Sequence, residues 1–151
     1  MRKQHSPRRL VVDERTVYLW TVRHWHGDGE PCRETLSLNR DGIRTRIVFR
    51  SGEGRDAGGG YPGHSGGVSD AHGHYANLNE PGVVRALVDE ASRRGLLSGG
   101  GEVDGWELLP AVAVSRAGAA TATPGVQQAA PAPDRHQPGS RGRTEAPRTS
   151  A

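Results

Sequence analysis

A chain of 151 residues with a single cysteine, Cys32, has room for one domain and no intrachain disulfide, and no run in it approaches the roughly 18–20 apolar residues of a membrane span. The formal charge of +3 belongs to the ends: residues 10–114 hold 11 arginines against 15 carboxylates, a net −4. Any hint of nucleic-acid or membrane partners therefore attaches to the basic ends and not to the body of the chain.

Residues 1–9 read as a basic flexible arm. Leu10-Val11-Val12 follows Arg8-Arg9, but Asp13-Glu14-Arg15 ends the apolar run after three residues, so no export signal is expected and a cytoplasmic location is the default. Thr16–His24 is rich in β-branched and aromatic residues and reads as the longest strand. Tyr18, Trp20 and Val22 fall on one of its faces and Val17, Leu19 and Thr21 on the other, which predicts a central strand covered on both sides. His26–Pro31 is a loop by composition.

Arg33–Arg50 reads as a β-hairpin around Asp41-Gly42, a dipeptide suited to the positive φ angles of a tight turn. With those two residues as the loop, Leu38 lies opposite Thr45 and Leu36 opposite Ile47. Residues 51–73 contain nine glycines and little that packs, and are expected to be an irregular glycine-rich loop. A short strand is expected near 74–79, with Tyr75 and Leu78 as anchors. Residues 81–94 form the clearest helix: Pro81 suits its first turn, Val83, Val84, Leu87, Val88 and Ala91 make one apolar stripe, and Gly95 ends it. Arg85–Asp89, Asp89–Arg93 and Glu90–Arg94 are spaced as ion pairs on its wet side. Trp106–Leu109 reads as a last strand edged by Pro110, with Val112 and Val114 as a weak continuation. From Ser115 the composition turns to Ala, Pro, Gly, Thr, Ser and Arg, which predicts a disordered tail over 115–151.

One helix with one apolar stripe needs one apolar surface to cover. The expected fold is therefore α+β: an antiparallel four- to five-stranded sheet with one amphipathic helix packed on one face.

Three surfaces carry candidate chemistry. Arg44, Arg46 and Arg50, with Arg33 on the partner arm, fall on one side of the hairpin, where guanidinium groups would meet phosphates or an acidic partner. Trp25 and Tyr61 are the aromatic residues to test beside them. His24 with His26, and His72 with His74, are spaced i,i+2 so that each pair could present two imidazoles to zinc or nickel, although no known zinc spacing occurs. Catalysis finds little support. Ser65 lies outside any G-x-S-x-G elbow, Cys32 lacks a third partner for a thiolate pair, and Gly52–Gly58 misses the dinucleotide-binding spacing.

The runs Tyr18–His24, His26–Gly29, Thr45–Arg50 and Leu78–Leu87 together resemble short hypothetical proteins of high-GC actinobacteria, over about residues 9–112. The excess of 19 arginines over the single Lys3 agrees with such a genome. The resemblance implies no activity, cofactor or binding residue. The leading reading is a non-catalytic domain that binds another protein, without a cofactor and with a homodimer open at exposed strand edges. Paired-histidine metal binding and nucleic-acid binding through the arginine row are the alternatives.

Overall fold

The computed structural model describes residues 6–58 and 65–114. The tail from 115, Tyr61, His64 and the first five residues lie outside the described residues, and with them the expected disorder of the tail.

The Asp41-Gly42 turn forms as its chemistry requires, with φ of 52° and 81° at the two residues. Only such positive values let a two-residue loop follow the right-handed twist of its strands. It joins β3 (Glu30–Arg40) to β4 (Ile43–Arg50), with Leu38 opposite Thr45 and Leu36 opposite Ile47. Gly42→Val should cost about 1–2 kcal/mol, because a β-branched residue resists the left-handed region. Urea unfolding of the variant checks this.

A second Asp-Gly pair, Asp28-Gly29, does similar work. The expected loop over 26–31 is nearly all strand: β2 (Val17–Gly27) runs into a two-residue turn, with Gly29 at φ 85°, and returns as β3. A bulge between Trp25 and Gly27 adjusts the register. Pro31 is tolerated because the β3–β4 ladder starts only at Arg33. The edge strand β1 (Arg8–Val11) pairs with Val17–Trp20, so the structured part begins inside the segment assigned to the basic arm.

The sheet is not purely antiparallel. Its order is β1-β2-β3-β4-β8, and β8 (Gly101–Asp104) lies parallel to β4. The last strand thus falls in the second glycine run and not at Trp106–Leu109. Trp106 sits instead in a 3-10 turn (Gly105–Glu107), capped by Asp104, whose Oδ1 accepts from the Trp106 N–H at 3.0 Å. Residues 109–114 are helical. Pro110 suits the start of a helix as well as the edge of a strand, and that ambiguity misdirected the expectation.

The glycine-rich region is also more regular than expected. It contains β5 (Arg55–Ala57) and β6 (Gly67–Asp70), which join β7 (Tyr75–Asn77) in a second, three-stranded antiparallel sheet. Its inward residues are small: Ala57, Val68 and Ala76 are buried, so the strands lack the bulky apolar signal that reveals longer ones. Tyr75, expected as an anchor, points outward and is 57% exposed, whereas Leu78 is fully buried.

Helix α1 (Pro81–Arg93) buries the expected stripe of Val83, Val84, Leu87, Val88 and Ala91. It ends in a Schellman arrangement at Gly95 (φ 72°), with Leu96 N–H donating to Ala91 O and Gly95 N–H to Ser92 O. Two of the three expected ion pairs form. Arg93 pairs with Glu90 and not with Asp89, so Glu90 gathers both Arg93 and Arg94 at 2.6 Å. Those two guanidinium groups hold its carboxyl down to about 2.

The helix, the small sheet and the C-terminal helical segment contribute to one core with the same face of the large sheet. Tyr18, Trp20, Leu36, Leu38, Ile47 and Phe49 supply that face. The opposite face is open. Leu19 is 47% exposed, which corrects the expectation that β2 is covered on both sides.

Candidate functional site

The strand registers define what shares the open face. On β2 it carries Val17, Leu19, Thr21, Arg23 and Trp25. On β3 these meet Asn39, Ser37, Thr35 and Arg33. On β4, Arg44, Arg46, Val48 and Arg50 stand opposite that row, with Glu102 and Asp104 of β8 beside Arg46 and Val48. Arg9 and Val11 complete the face on β1, opposite Leu19 and Val17. Five of the six residues expected at a binding surface are therefore brought together: Arg33, Arg44, Arg46, Arg50 and Trp25. The sixth, Tyr61, is outside the described residues.

Arg33 stands directly opposite Arg50. Like charges in that position destabilise a sheet. Each is drawn aside by a different partner: the Arg33 guanidinium lies over the Trp25 ring at 4.3 Å, and Arg50 donates to Glu102 at 2.6 Å. The Arg50 contact, with the field of Arg46 and Arg33, holds the Glu102 carboxyl below its usual range. Trp25 also packs against Gly27, where an added Cβ would come within 2.7 Å of its Cζ2. Trp25, named from the sequence as an aromatic to test beside the arginines, joins their face from β2 through its pairing with Arg33.

Arg23, Arg33, Arg44 and Arg46 make no ion pair among the described residues. The helix arginines behave differently, since Arg85, Arg93 and Arg94 are each matched to a carboxylate. Arg8, Arg15 and Arg55 are likewise without an ion pair elsewhere, but with Arg9 five of the eight such arginines among the described residues share this face of a domain that is acidic in sum. Beside it, Val11, Val17 and Leu19 form an apolar corner. Arg9, Arg23 and the apolar corner were missed in the sequence, although period-two counting back from Trp25 would have placed Arg23 and Leu19 with it.

The four histidines stay in two separate pairs. His24 and His26 lie on the core side of β2, with ring centroids 5.7 Å apart. His72 and His74 belong to the β6–β7 turn, with centroids 6.1 Å apart. Among the described residues there is no group of three or more His, Cys, Asp or Glu side chains placed to hold a metal ion. Two of the imidazoles are already engaged. His74 Nδ1 is 2.8 Å from Asp70 Oδ2, while Asp70 Oδ1 accepts the N–H groups of His72 and His74 and shapes the turn. Burial alone would raise the Asp70 carboxyl, but the His74 side chain and these backbone donors hold it below its usual value.

His24 Nδ1 is 2.8 Å from Glu34 Oε1. Glu34 is fully buried, and its Oε2 has no partner among the described residues. Burial pushes its carboxyl up, against the Gly66 backbone and the His24 imidazole, both of which favour the charged form. Gly58 sits against the imidazole, where a Cβ would lie 2.7 Å from Cε1. Cys32 is a half-buried free thiol on the same strand. No helix among the described residues is long and apolar enough to cross a membrane. Comparison with protein-family models, with curated proteins and with solved structures finds no match to this chain.

Proposed function

We propose that this is a small non-catalytic binding domain whose open sheet face receives an acidic protein partner. The observation that supports the reading is the set of unmatched guanidinium groups, Arg23, Arg33, Arg44 and Arg46, on the uncovered side of an otherwise acidic domain. A solvated face of no function could also hold arginines, as the exposed and unpaired Arg15 and Arg55 do singly elsewhere, but here five such groups share one face. Electrostatic complementarity would steer the encounter and set the register. Trp25, already ordered by Arg33 and Gly27, would serve as an anchor at low entropic cost. The apolar corner of Val11, Val17 and Leu19 favours a protein, which can offer apolar as well as acidic groups. A second copy of this face is disfavoured by like-charge repulsion.

Single-stranded nucleic acid is the second reading, because sheet-face recognition of bases uses an aromatic platform and Trp25 supplies one. The test is a titration of the full chain with an Asp/Glu-rich peptide and with a single-stranded oligonucleotide, in wild type and in Arg44→Glu/Arg46→Glu. Binding should weaken by about tenfold or more in the double variant, while Arg44→Glu changes stability by no more than about 0.5 kcal/mol and Arg46→Glu, which sets a carboxylate beside Glu102, costs about 1 kcal/mol. Equal binding by the two proteins would remove this face from consideration. Oligonucleotide binding that falls steeply with salt, with no response to the peptide, would move the reading to nucleic acid.

A further inference from the structure

We propose that the partner received by the open face is a phosphorylated protein segment, its phosphoserine or phosphothreonine seated over Thr35 and Ser37 at the centre of the sheet. This rests on the reading of that face as a docking surface and names the group it recognises. The centre of the face differs from its margins. Thr35, Ser37 and Asn39 follow one another along β3, and Thr21 stands opposite Ser37 on β2. All four side chains are polar and short, and none forms a hydrogen bond among the described residues. Val48, opposite Thr35, is 3% exposed, so no apolar anchor projects there.

Guanidinium groups surround this centre. Arg23 stands opposite Thr35 on β2, Arg46 opposite Ser37 on β4, and Arg44 opposite Asn39. Arg33 precedes Thr35 on the same face of β3. Residues directly across a ladder have Cβ atoms about 5 Å apart and diagonal neighbours about 7–8 Å, a span that long side chains bridge. The carboxylates at the β8 margin are already engaged, Glu102 by Arg50 and Asp104 Oδ1 by the Trp106 N–H.

The ligand chemistry follows from those donors. A carboxylate takes one guanidinium edge and one charge. A phosphorylated side chain brings about −1.5 to −2 charges and three strong acceptor oxygens, which suits several guanidinium groups converging with hydroxyl donors. An oligonucleotide also offers phosphates, but sheets that read bases stack two or three of them on aromatic side chains. Among the described residues this face offers Trp25 alone, at its margin beside Arg33. The apolar corner adds a direction. Leu19 and Val17 continue the β2 row beyond Thr21, and an extended segment advances about 7 Å per two residues. An apolar side chain two or four residues from the phosphorylated one would therefore meet that corner.

The test screens the immobilised full chain against degenerate peptide libraries with phosphoserine, aspartate or serine fixed at the centre, then titrates the best-retained sequence in all three forms. The phosphoserine form should bind about tenfold or more tighter than the aspartate form. Arg23→Gln and the double variant Thr35→Val/Ser37→Ala should each remove most of that preference. Arg93→Gln, on the helix that packs against the other face, should keep it. Melting curves establish that each variant is folded. Should the double variant fail to fold, Arg23→Gln, altered at an exposed position, carries the test alone. Equal affinity for the phosphoserine and aspartate forms, with both weakened in Arg44→Glu/Arg46→Glu, would overturn this proposal and leave the acidic-partner reading standing. A phosphoserine preference indifferent to Arg23→Gln would place the phosphate elsewhere and overturn it as well. Retention of none of the libraries would overturn both readings.

Discussion

Gly105→Ala should destabilise the domain by about 3 kcal/mol, a large fraction of the roughly 5–15 kcal/mol that holds a domain of this size together. The cause is steric. A Cβ at 105 would meet three ring carbons of Phe49, with Cε1 at 2.6 Å. Phe49 has nowhere to retreat, since it is fully buried and packed edge-to-face on Trp106 with centroids 5.2 Å apart. The glycine cannot retreat either, because Asp104 caps the turn and the Trp106 indole bonds to the Arg50 carbonyl. The melting temperature should fall by more than about 10 °C. A double-mutant cycle makes the account specific: Phe49→Leu should recover part of the loss in the Gly105→Ala background, with a coupling of about 1–2 kcal/mol. Additive single effects would show that the collision is not the cause.

His24→Ala should cost about 3 kcal/mol at neutral pH, because it leaves the Glu34 carboxyl buried without the group that favours its charged form. The cost should shrink in acid. The Glu34 carboxyl is raised above the 4.5 of a free glutamate, so over the window just above that value the native state still holds a proton that the unfolded chain has lost. The contribution of Glu34 to stability is therefore fully present below that value and declines as pH rises through the window. Removing His24 should widen the window upward. Glu34→Gln keeps the shape without the charge, so it should stay within about 1 kcal/mol of wild type at neutral pH and flatten this part of the profile. Asp70, Glu90 and Glu102 act in the opposite sense. Their carboxyls are lowered, so their contribution is present above the ordinary carboxylate range and is lost as pH falls. Denaturant unfolding of wild type, His24→Ala and Glu34→Gln across the acid range isolates Glu34 by difference. A His24→Ala cost that does not vary with pH would refute the electrostatic account.

The two experiments probe neighbouring positions on the same face, since Phe49 is the cross-strand partner of Glu34. Gly105 allows the chain to pass against the aromatic ring. Beside that ring a histidine and a carboxylate occupy positions where the alternation calls for apolar side chains. The Glu34 position was unremarkable in the sequence, because a glutamate near a loop is ordinary surface unless its strand partner and its cover are known. Its burial follows from the pairing of Glu34 with His24 and Phe49 across three strands, and from the small sheet whose Gly58 and Gly66 approach the pair.

What the sequence determined by itself was local. Asp41-Gly42 settled the hairpin and its register, because only a turn with positive φ fits two residues there. The apolar stripe from Val83 to Ala91, with Pro81 before it and Gly95 after it, settled the helix. Period-two alternation put Arg44, Arg46 and Arg50 on one side. Tertiary structure decided the rest, because long-range pairing leaves little trace in a short window. A parallel edge strand made of Gly101–Asp104 has no turn to announce it, and a small sheet whose inward residues are alanine and valine has no bulky signal. Nothing in β2 tells which of its two apolar faces is covered. That depended on the helix, the small sheet and the C-terminal helical segment sharing a core with the same side of the sheet, which left Leu19, Trp25 and the arginines on the other.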